Sequence, residues 1–390
     1  MLIYHHREES VKTYESINDR IRRGKAAVVT AVELDRLIKE KGIRRTARKV
    51  DVVTTGTFGA MCSSGVFLNF GHASPRIRAT RVWINGVEAY AGIAAVDCYL
   101  GATRRCRKTE NGRLYGGGHV IHDLAAGKPV HLKALSDGSD CYPRKVLEKT
   151  LTLDAMGDAI LFSPRNGYQN YVCAVNSGTH RLETYMGVLE PRFGNAHYSG
   201  AGCLSPLMKD PFCRVVGVGT RIFLGGGVGT VTGPGTQFAC RVPRTEHGLP
   251  TRPAATLAVT GDLKRMDPRW LLGTAFRGYG TTLRVGLGIP IPVLNEEVLV
   301  HASARDEQIR VPVVDFAEDY PMATGRILAE VSYADLRNGS FYLNGKTIPA
   351  FGLSSRRKAL EIAGILRQWI RQGSFLLGKP VAPLYSGETA

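Results

Sequence analysis

The 390-residue sequence has no apolar run approaching the roughly 20 residues needed to cross a bilayer, and its first ten residues, M-L-I-Y-H-H-R-E-E-S, lack the apolar centre of a secretory signal. The expectation is therefore a cytoplasmic protein with no membrane partner. The sequence also has no C-x-x-C, and its eight cysteines are spaced widely and irregularly. That pattern offers no local zinc or iron–sulfur site and does not read as a disulfide framework, so no metal ligand is assigned. Internal repeats and low-complexity segments are absent as well. Acidic residues are in short supply, 34 Asp and Glu against 51 Lys and Arg, for a formal charge of +17. Such a balance fits a polyanionic partner, and Arg-Arg pairs occur at Arg22-Arg23, Arg44-Arg45, Arg104-Arg105 and Arg356-Arg357. The basic residues are nevertheless dispersed, and no recognised DNA- or RNA-binding motif accompanies them. A solvated basic surface, a small anionic substrate or an acidic protein partner explains the charge at least as well, and nucleic acid is not the expected partner.

What is present is the material of an ordinary globular protein, 44% hydrophobic and 22% charged, long enough for one large domain or two. Tyr14, Ile17 and Ile21 recur at helical spacing, with Gly24 as terminator. Thr30 and Glu33 form a capping-box pattern ahead of Leu34, Leu37 and Ile38, and Gly42 closes that helix. From Val52 onward, short β-branched runs alternate with glycine-rich turns. Strands are expected at 130–134, 151–153, 160–162, 215–218 and 221–224, and a proline-initiated helix at 143–149. Beyond the proline-rich stretch 243–253, further strands are expected at 256–259, 298–301, 327–332 and 341–343. A last helix is capped by Ser354 or Ser355, buries Ala359, Ile362, Ala363, Leu366 and Ile370, and stops at Gly373. The fold class is α/β in the sense of mixed α and β: a glycine-rich β core with N-terminal helices and a C-terminal helix, its topology left open. Three regions are expected: a helical segment 1–50, a catalytic glycine-rich region 51–245, and a C-terminal region 254–390 packed on the same core.

Two cysteines stand in polar, glycine-framed turns rather than among apolar neighbours. Cys62 follows Gly56 and Gly59 and precedes Ser63, Ser64 and Gly65, a setting whose amides can gather around a thiolate or a bound carboxylate. Cys141 has Asp140 before it and Arg144 three residues on, so that a guanidinium favours the thiolate while a carboxylate opposes it. The string Y-G-G-G-H-V-I-H-D supplies His119 and His122 as candidate acid or base, the alternative being a tight turn with one exposed and one core histidine. The stretch 217–237 holds eight glycines but lacks G-K-[ST], and reads best as a β wall whose backbone closes on a small ligand. A phosphate- or nucleotide-binding enzyme using Gly225–Gly235 remains an alternative, as does a basic nucleic-acid- or protein-binding scaffold. N-F-G-H (69–72) and A-A-V-D-C-Y-L-G-A-T (94–103) are weaker signals, and within the latter Cys98 reads as packed.

Taken in order, V-D-V-V-T-T-G-T-F-G-A-M-C-S-S-G, Y-A-G-I-A-A-V-D-C-Y-L-G-A-T, Y-G-G-G-H-V-I-H-D-L, S-D-C-Y-P-R and L-G-G-G-V-G-T-V-T-G-P-G-T-Q resemble the homocysteine biosynthesis family, over nearly the whole sequence. The resemblance implies an L-aspartate semialdehyde sulfurtransferase, with the family's two cysteines falling on Cys62 and Cys141. It implies a persulfide intermediate, no tightly bound cofactor and a ferredoxin-type external electron donor; a homo-oligomer is also expected as a possibility. Cys141 is then expected to carry the sulfur and Cys62 to resolve the adduct, with His119 or His122 handling protons. Arg144, Arg165 and Asp97 are the candidates for the charged ends of the substrate, with Gly59 and Ser63 beside the thiol. Some members carry a C-terminal pair of regulatory CBS modules, and the expectation here is that this appendage is missing.

Overall fold

The computed structural model describes residues 12–71, 73–93, 97–106, 114–320, 322 and 326–384. His72 and residues 94–96, parts of two of the weaker motifs, lie outside them.

Three helices form where periodicity and caps agree. Thr13 and Ser16 close a reciprocal capping box on Tyr14–Arg22, and Thr30 and Glu33 do the same for Ala31–Lys41. Ser355 accepts from the Lys358 amide at 3.3 Å to start Arg356–Arg371. That last helix buries Ala359, Ile362, Ala363, Leu366 and Ile370 completely. Its larger aliphatic side chains each contribute about 1.5–3 kcal/mol by leaving water. The helix lies so close to the strands beneath that a Cβ on Gly56 would sit 2.2 Å from the Ala359 carbonyl oxygen, and one on Gly288 2.8 Å from Ile362. Only glycine permits that approach.

The core is a sheet of thirteen strands among the described residues. From one edge it runs Leu271–Phe276, Gly280–Gly288, Arg221–Leu224, Gly227–Pro234, Leu257–Asp262 and Ala159–Asn166. It continues through Gly65–Leu68, Cys98–Gly101, Val87–Ala91, Arg81–Ile84 and Val130–Leu135 to Val146–Leu151. Thr57–Ala60 pairs separately with Gly280–Gly288, placing Gly59 opposite Val285. A second sheet of six strands orders Ile327–Ser332, Arg310–Asp315, Cys173–Val175, Ala196–Tyr198, Lys346–Gly352 and Ser340–Leu343. Both sheets take strands from either side of the proline-rich stretch 243–253.

Four local expectations differ from the structure, each for a visible reason. Residues 143–149 are not a helix: Val146–Leu151 is a strand whose Leu147 and Leu151 are buried, paired residue for residue with Val130–Leu135. Residues 298–301 are helical, within Glu296–Ala302, because the Asn295 side chain caps the Val298 amide at 2.9 Å. Residues 215–218 form no strand, because the amides of Val215 and Val216 are taken by the buried Asp210 carboxylate at 2.9 and 2.8 Å. Beyond Leu151 the chain turns into a single 3-10 turn, Leu153–Ala155. The glycine-rich stretch 217–237 folds as a hairpin, with Gly225 and Gly226 at positive φ forming its two-residue turn and the flanking residues paired in the sheet.

Candidate functional site

Cys62 sits in a tight turn, closed by the Ser64 amide donating to the Met61 carbonyl at 3.0 Å, between Thr57–Ala60 and Gly65–Leu68. Its neighbour Ser64 is buried and donates to the Ser163 hydroxyl at 2.8 Å, which in turn accepts from the Asn166 amide at 3.2 Å. That buried chain ties the cysteine turn to the strand Ala159–Asn166. The strand's pairing with Leu257–Asp262 slips between Ser163 and Asn166, where Pro164 has no N–H to give. Arg165 stands in this irregular segment, and its side chain enters a cavity of about 450 Å³ that Cys62 and Ser63 also line.

The rest of that wall is tyrosine: Tyr168, Tyr171, Tyr185, Tyr279 and Tyr320. All five stand in turns and loops: Tyr168 and Tyr171 on the connection from one sheet to the other, Tyr279 and Tyr185 in hairpin turns, and Tyr320 after the short helix Phe316–Asp319. The Arg165 guanidinium lies 5.1 Å from the Tyr168 ring centre, and its buried Nε has no hydrogen-bond partner. Tyr171 and Tyr185 share their hydroxyls at 3.3 Å, and Tyr185 is ringed by Tyr279, Tyr320 and Phe316. Burial pushes the phenols of Tyr168, Tyr185 and Tyr279 well up, so all three stay protonated at neutral pH. Thr282 donates its hydroxyl to the Cys62 sulfur at 3.4 Å, and Tyr279 shares the cavity wall with Cys62. No carboxylate and no histidine appears among the described residues lining this space.

A cavity of about 560 Å³ beside Phe212, Cys240 and His301 is larger, but its Arg244 is stacked 4.9 Å over Phe212 and bonded to the Gly248 carbonyl at 2.9 Å. Size alone does not single out the candidate site. The space holding Cys62 has both a thiol and an arginine nitrogen left without a partner.

The other residues singled out from the sequence lie elsewhere. Cys141 is exposed, in the connection between Val130–Leu135 and Val146–Leu151. Cys62 lies beyond the Gly65 end of its strand, whereas Leu135 pairs with Arg81 four strands away and at the opposite end. At about 4.8 Å per strand that is roughly 19 Å across the sheet alone. Arg144 turns from Cys141 to donate to the carbonyls of Ser74 and Pro75. Asp97 accepts from the Phe70 amide at 2.7 Å. Gly59 is packed where a Cβ would meet the Ser354 hydroxyl at 2.7 Å.

His119 and His122 ride on a helix, Gly117–Ala125, that periodicity does not signal because it opens on glycines. Those glycines are required: a Cβ on Gly117 would fall 1.9 Å from the Gly101 carbonyl oxygen, and one on Gly118 2.2 Å from that of Thr282. The helix packs on the face of Gly280–Gly288 that carries Thr281, whereas Thr282, one residue on, faces Cys62. His122 Nδ1 lies 2.6 Å from the Leu271 carbonyl oxygen, and His119 stacks on Tyr115, its burial holding the imidazole below the usual histidine range. Cys98 is fully buried, its thiol pushed up to about 12 by burial. Among the described residues no group of three or more His, Cys, Asp or Glu is placed to hold a metal ion, and no helix is long and apolar enough to cross a membrane. The tyrosine wall had no sequence signal beyond the Tyr168–Tyr171 spacing, because its members are spread over some 150 residues and meet only in the fold.

Residues 26–377 match the sequence model of a family described as homocysteine biosynthesis enzyme, sulfur-incorporation. An L-aspartate semialdehyde sulfurtransferase of Methanosarcina acetivorans is 47% identical over 376 residues, covering 96% of this chain and 72% of that protein. One of the same description from Methanocaldococcus jannaschii is 46% identical over 391 residues, covering 97% of this chain and 74% of its own. An uncharacterized protein of Methanothermobacter thermautotrophicus is 30% identical over 334 residues, covering 83% and 71% respectively. No solved structure matches. With family and relatives agreeing over nearly its full length, the chain belongs to the homocysteine biosynthesis, sulfur-incorporation family and is a sulfurtransferase.

Proposed function

We propose that this enzyme makes L-homocysteine from L-aspartate 4-semialdehyde and a sulfide or persulfide sulfur, with Cys62 as the thiol that meets the substrate. The observation that carries this reading is the shared cavity of Cys62 and Arg165, whose guanidinium has a buried nitrogen without a partner. A substrate carboxylate entering the cavity pairs with the Arg165 guanidinium by charge-assisted hydrogen bonds. The substrate ammonium finds tyrosine faces rather than a carboxylate, a cation–π arrangement. Ser63 and the amides of the turn stand beside the thiol to receive the aldehyde end.

The chemistry replaces an aldehyde oxygen by a thiol and needs two electrons. With two enzyme thiols as their source the reaction balances: aldehyde, hydrogen sulfide and two thiols give the product thiol, water and one disulfide. Sulfide beside Cys62 adds to the aldehyde carbon and the adduct loses water to a thioaldehyde; the Cys62 thiolate attacks its sulfur while the carbon takes a proton, giving a mixed disulfide of Cys62 and product. A second thiol then releases the product and leaves the disulfide, which a ferredoxin-type protein reduces. The reading calls for no resident cofactor. Cys141, from its place in the family pattern, is the second thiol. Its exposed position suits exchange with a sulfur or electron donor in solution. Closing a disulfide with Cys62 requires the two Cα atoms to come within about 7 Å, so the Cys141 segment must move or be supplied by another chain.

Purified enzyme supplied with aspartate semialdehyde, sulfide and a chemical reductant is expected to form homocysteine, read by mass spectrometry. Cys141→Ser should stop turnover while leaving a carboxylate-bearing substrate analogue able to raise the melting temperature. A Cys62–Cys141 peptide crosslink should accumulate when the reductant is withheld. Wild-type rates from Cys141→Ser, with no crosslink, remove the two-thiol scheme and leave Cys62 acting alone.

A further inference from the structure

The sulfur-transfer reading needs a proton for the aldehyde oxygen at the moment a C–S bond forms, and the usual donors are missing from the cavity. Neither histidine of the Gly117–Ala125 helix lines it, and no carboxylate does among the described residues. Its proton-bearing groups near the sulfur are hydroxyls. Tyr171 and Tyr185 are bonded to each other. Tyr168 lies under the Arg165 guanidinium. The Thr282 hydroxyl is directed at the Cys62 sulfur from within the strand.

Tyr279 is left. It sits on the short connection between Leu271–Phe276 and Gly280–Gly288, with its ring against Tyr185 at 6.3 Å, and it lines the same cavity wall as Cys62. The connection is held from both sides. Arg277 pairs with Glu183 at 2.7 Å, and the Arg105 guanidinium donates to the Tyr279 carbonyl. Gly278 and Gly280, flanking the tyrosine, have φ of 74° and 124°, conformations that a side chain would strain. The chain thus holds the Tyr279 connection firmly at the cavity wall.

We propose that Tyr279 is the catalytic proton donor of this site, giving its phenolic proton to the substrate carbonyl oxygen as sulfide held beside Cys62 adds to the carbonyl carbon. In that step one C–S bond forms and the π pair of the C=O bond moves onto oxygen. The oxygen takes the Tyr279 proton, and the phenolate regains one from water. No oxidant or reductant is consumed. Burial, with the Cys62 thiol nearby, holds the phenol well above its usual range, so it is protonated whenever the substrate arrives and its acidity is closer to that of the alkoxide it serves. Thr282 keeps the Cys62 sulfur in place.

This assignment rests on the proposed reaction at Cys62, and the test separates the two. Tyr279→Phe should lower kcat about 100- to 1,000-fold, the range for removing a positioned acid. KM and the rate of Cys62 alkylation by iodoacetamide should stay within a few-fold of wild type. 3-Fluorotyrosine placed at position 279 fits the same space and should restore most of the lost kcat, which excludes a folding defect as the cause. A Tyr279→Phe enzyme turning over within threefold of wild type, beside an inactive Cys62→Ser enzyme, overturns the role of Tyr279 alone. An active Cys62→Ser enzyme overturns the reaction proposed for the cavity and this step with it.

Discussion

The two faces of the strand Gly280–Gly288 differ more than their sequence suggests. Thr281 and Thr282 are adjacent and chemically identical, yet one donates to the carbonyls of Ala102 and Arg104 in the turn after Cys98–Gly101 and the other reaches the Cys62 thiol. On the first face lie three consecutive glycines, two histidines and close backbone contact. On the second lie Cys62, an arginine nitrogen without a partner, and five tyrosines. The alternation of a strand separates the two polar motifs, since successive side chains leave on opposite sides. A motif rich in histidine became a packing device, and an unremarkable scatter of tyrosines became the wall of the cavity.

The sharpest way to break the comparison is at the thiol. Cys62→Ser should abolish homocysteine formation, a loss beyond 1,000-fold of the kind expected for an essential nucleophile, with the circular dichroism spectrum unchanged. Next comes Arg165→Met, which removes a charge-assisted bond of about 1.5–3 kcal/mol and should raise KM about 10- to 150-fold. Arg165→Lys should recover only part of that, because a point charge does not replace the planar fork. If Arg165→Met leaves KM unchanged, the carboxylate binds elsewhere.

On the other face the effects should appear in stability rather than rate. Gly118→Ala forces a methyl group to within 2.2 Å of the Thr282 carbonyl oxygen, so the helix must lift. A loss of about 1–3 kcal/mol in urea unfolding is expected, as for other overpacked sites. The smallest effect belongs to His119. Its imidazole is held below 6.5 by burial, so between that value and its lower folded value the unfolded chain binds the extra proton. Stability therefore falls as pH drops through 6.5, and His119→Phe should flatten that slope while leaving kcat within a few-fold. A His119→Phe enzyme with a 100-fold lower kcat makes the two faces one site.

Much of the local structure was legible in the sequence. Thr30 with Glu33 and Ser355 with the apolar stripe from Ala359 to Ile370 specify their helices by interactions within a few residues, so no tertiary context was needed. The errors arose where a distant partner decided. Asp210 captured the amides of Val215 and Val216, and Val130–Leu135 captured 146–151, turning an expected strand into a loop and an expected helix into a strand. The site divides the same way. Cys62 and Ser63 announced themselves through their glycine frame, and Arg165 was named among several arginines. What marks Arg165 out is the slipped pairing between Ser163 and Asn166, a property of two strands rather than one.

The sequence by itself determined the family, through five motifs in order, and the chemical kind of the reactive groups, because a thiol and a guanidinium keep their character in any setting. It also set the helices, whose caps and stripes are local. Only the tertiary structure decided which groups meet. Strand order put Cys62 and Cys141 at opposite ends of strands four places apart in the sheet. Strand alternation put the histidines behind it, and turns and loops far apart in the chain brought Tyr168, Tyr171, Tyr185, Tyr279 and Tyr320 into one cavity wall with Cys62. The reason is physical: side-chain direction and strand neighbours are set by pairings between residues a hundred or more positions apart, and no local pattern records them.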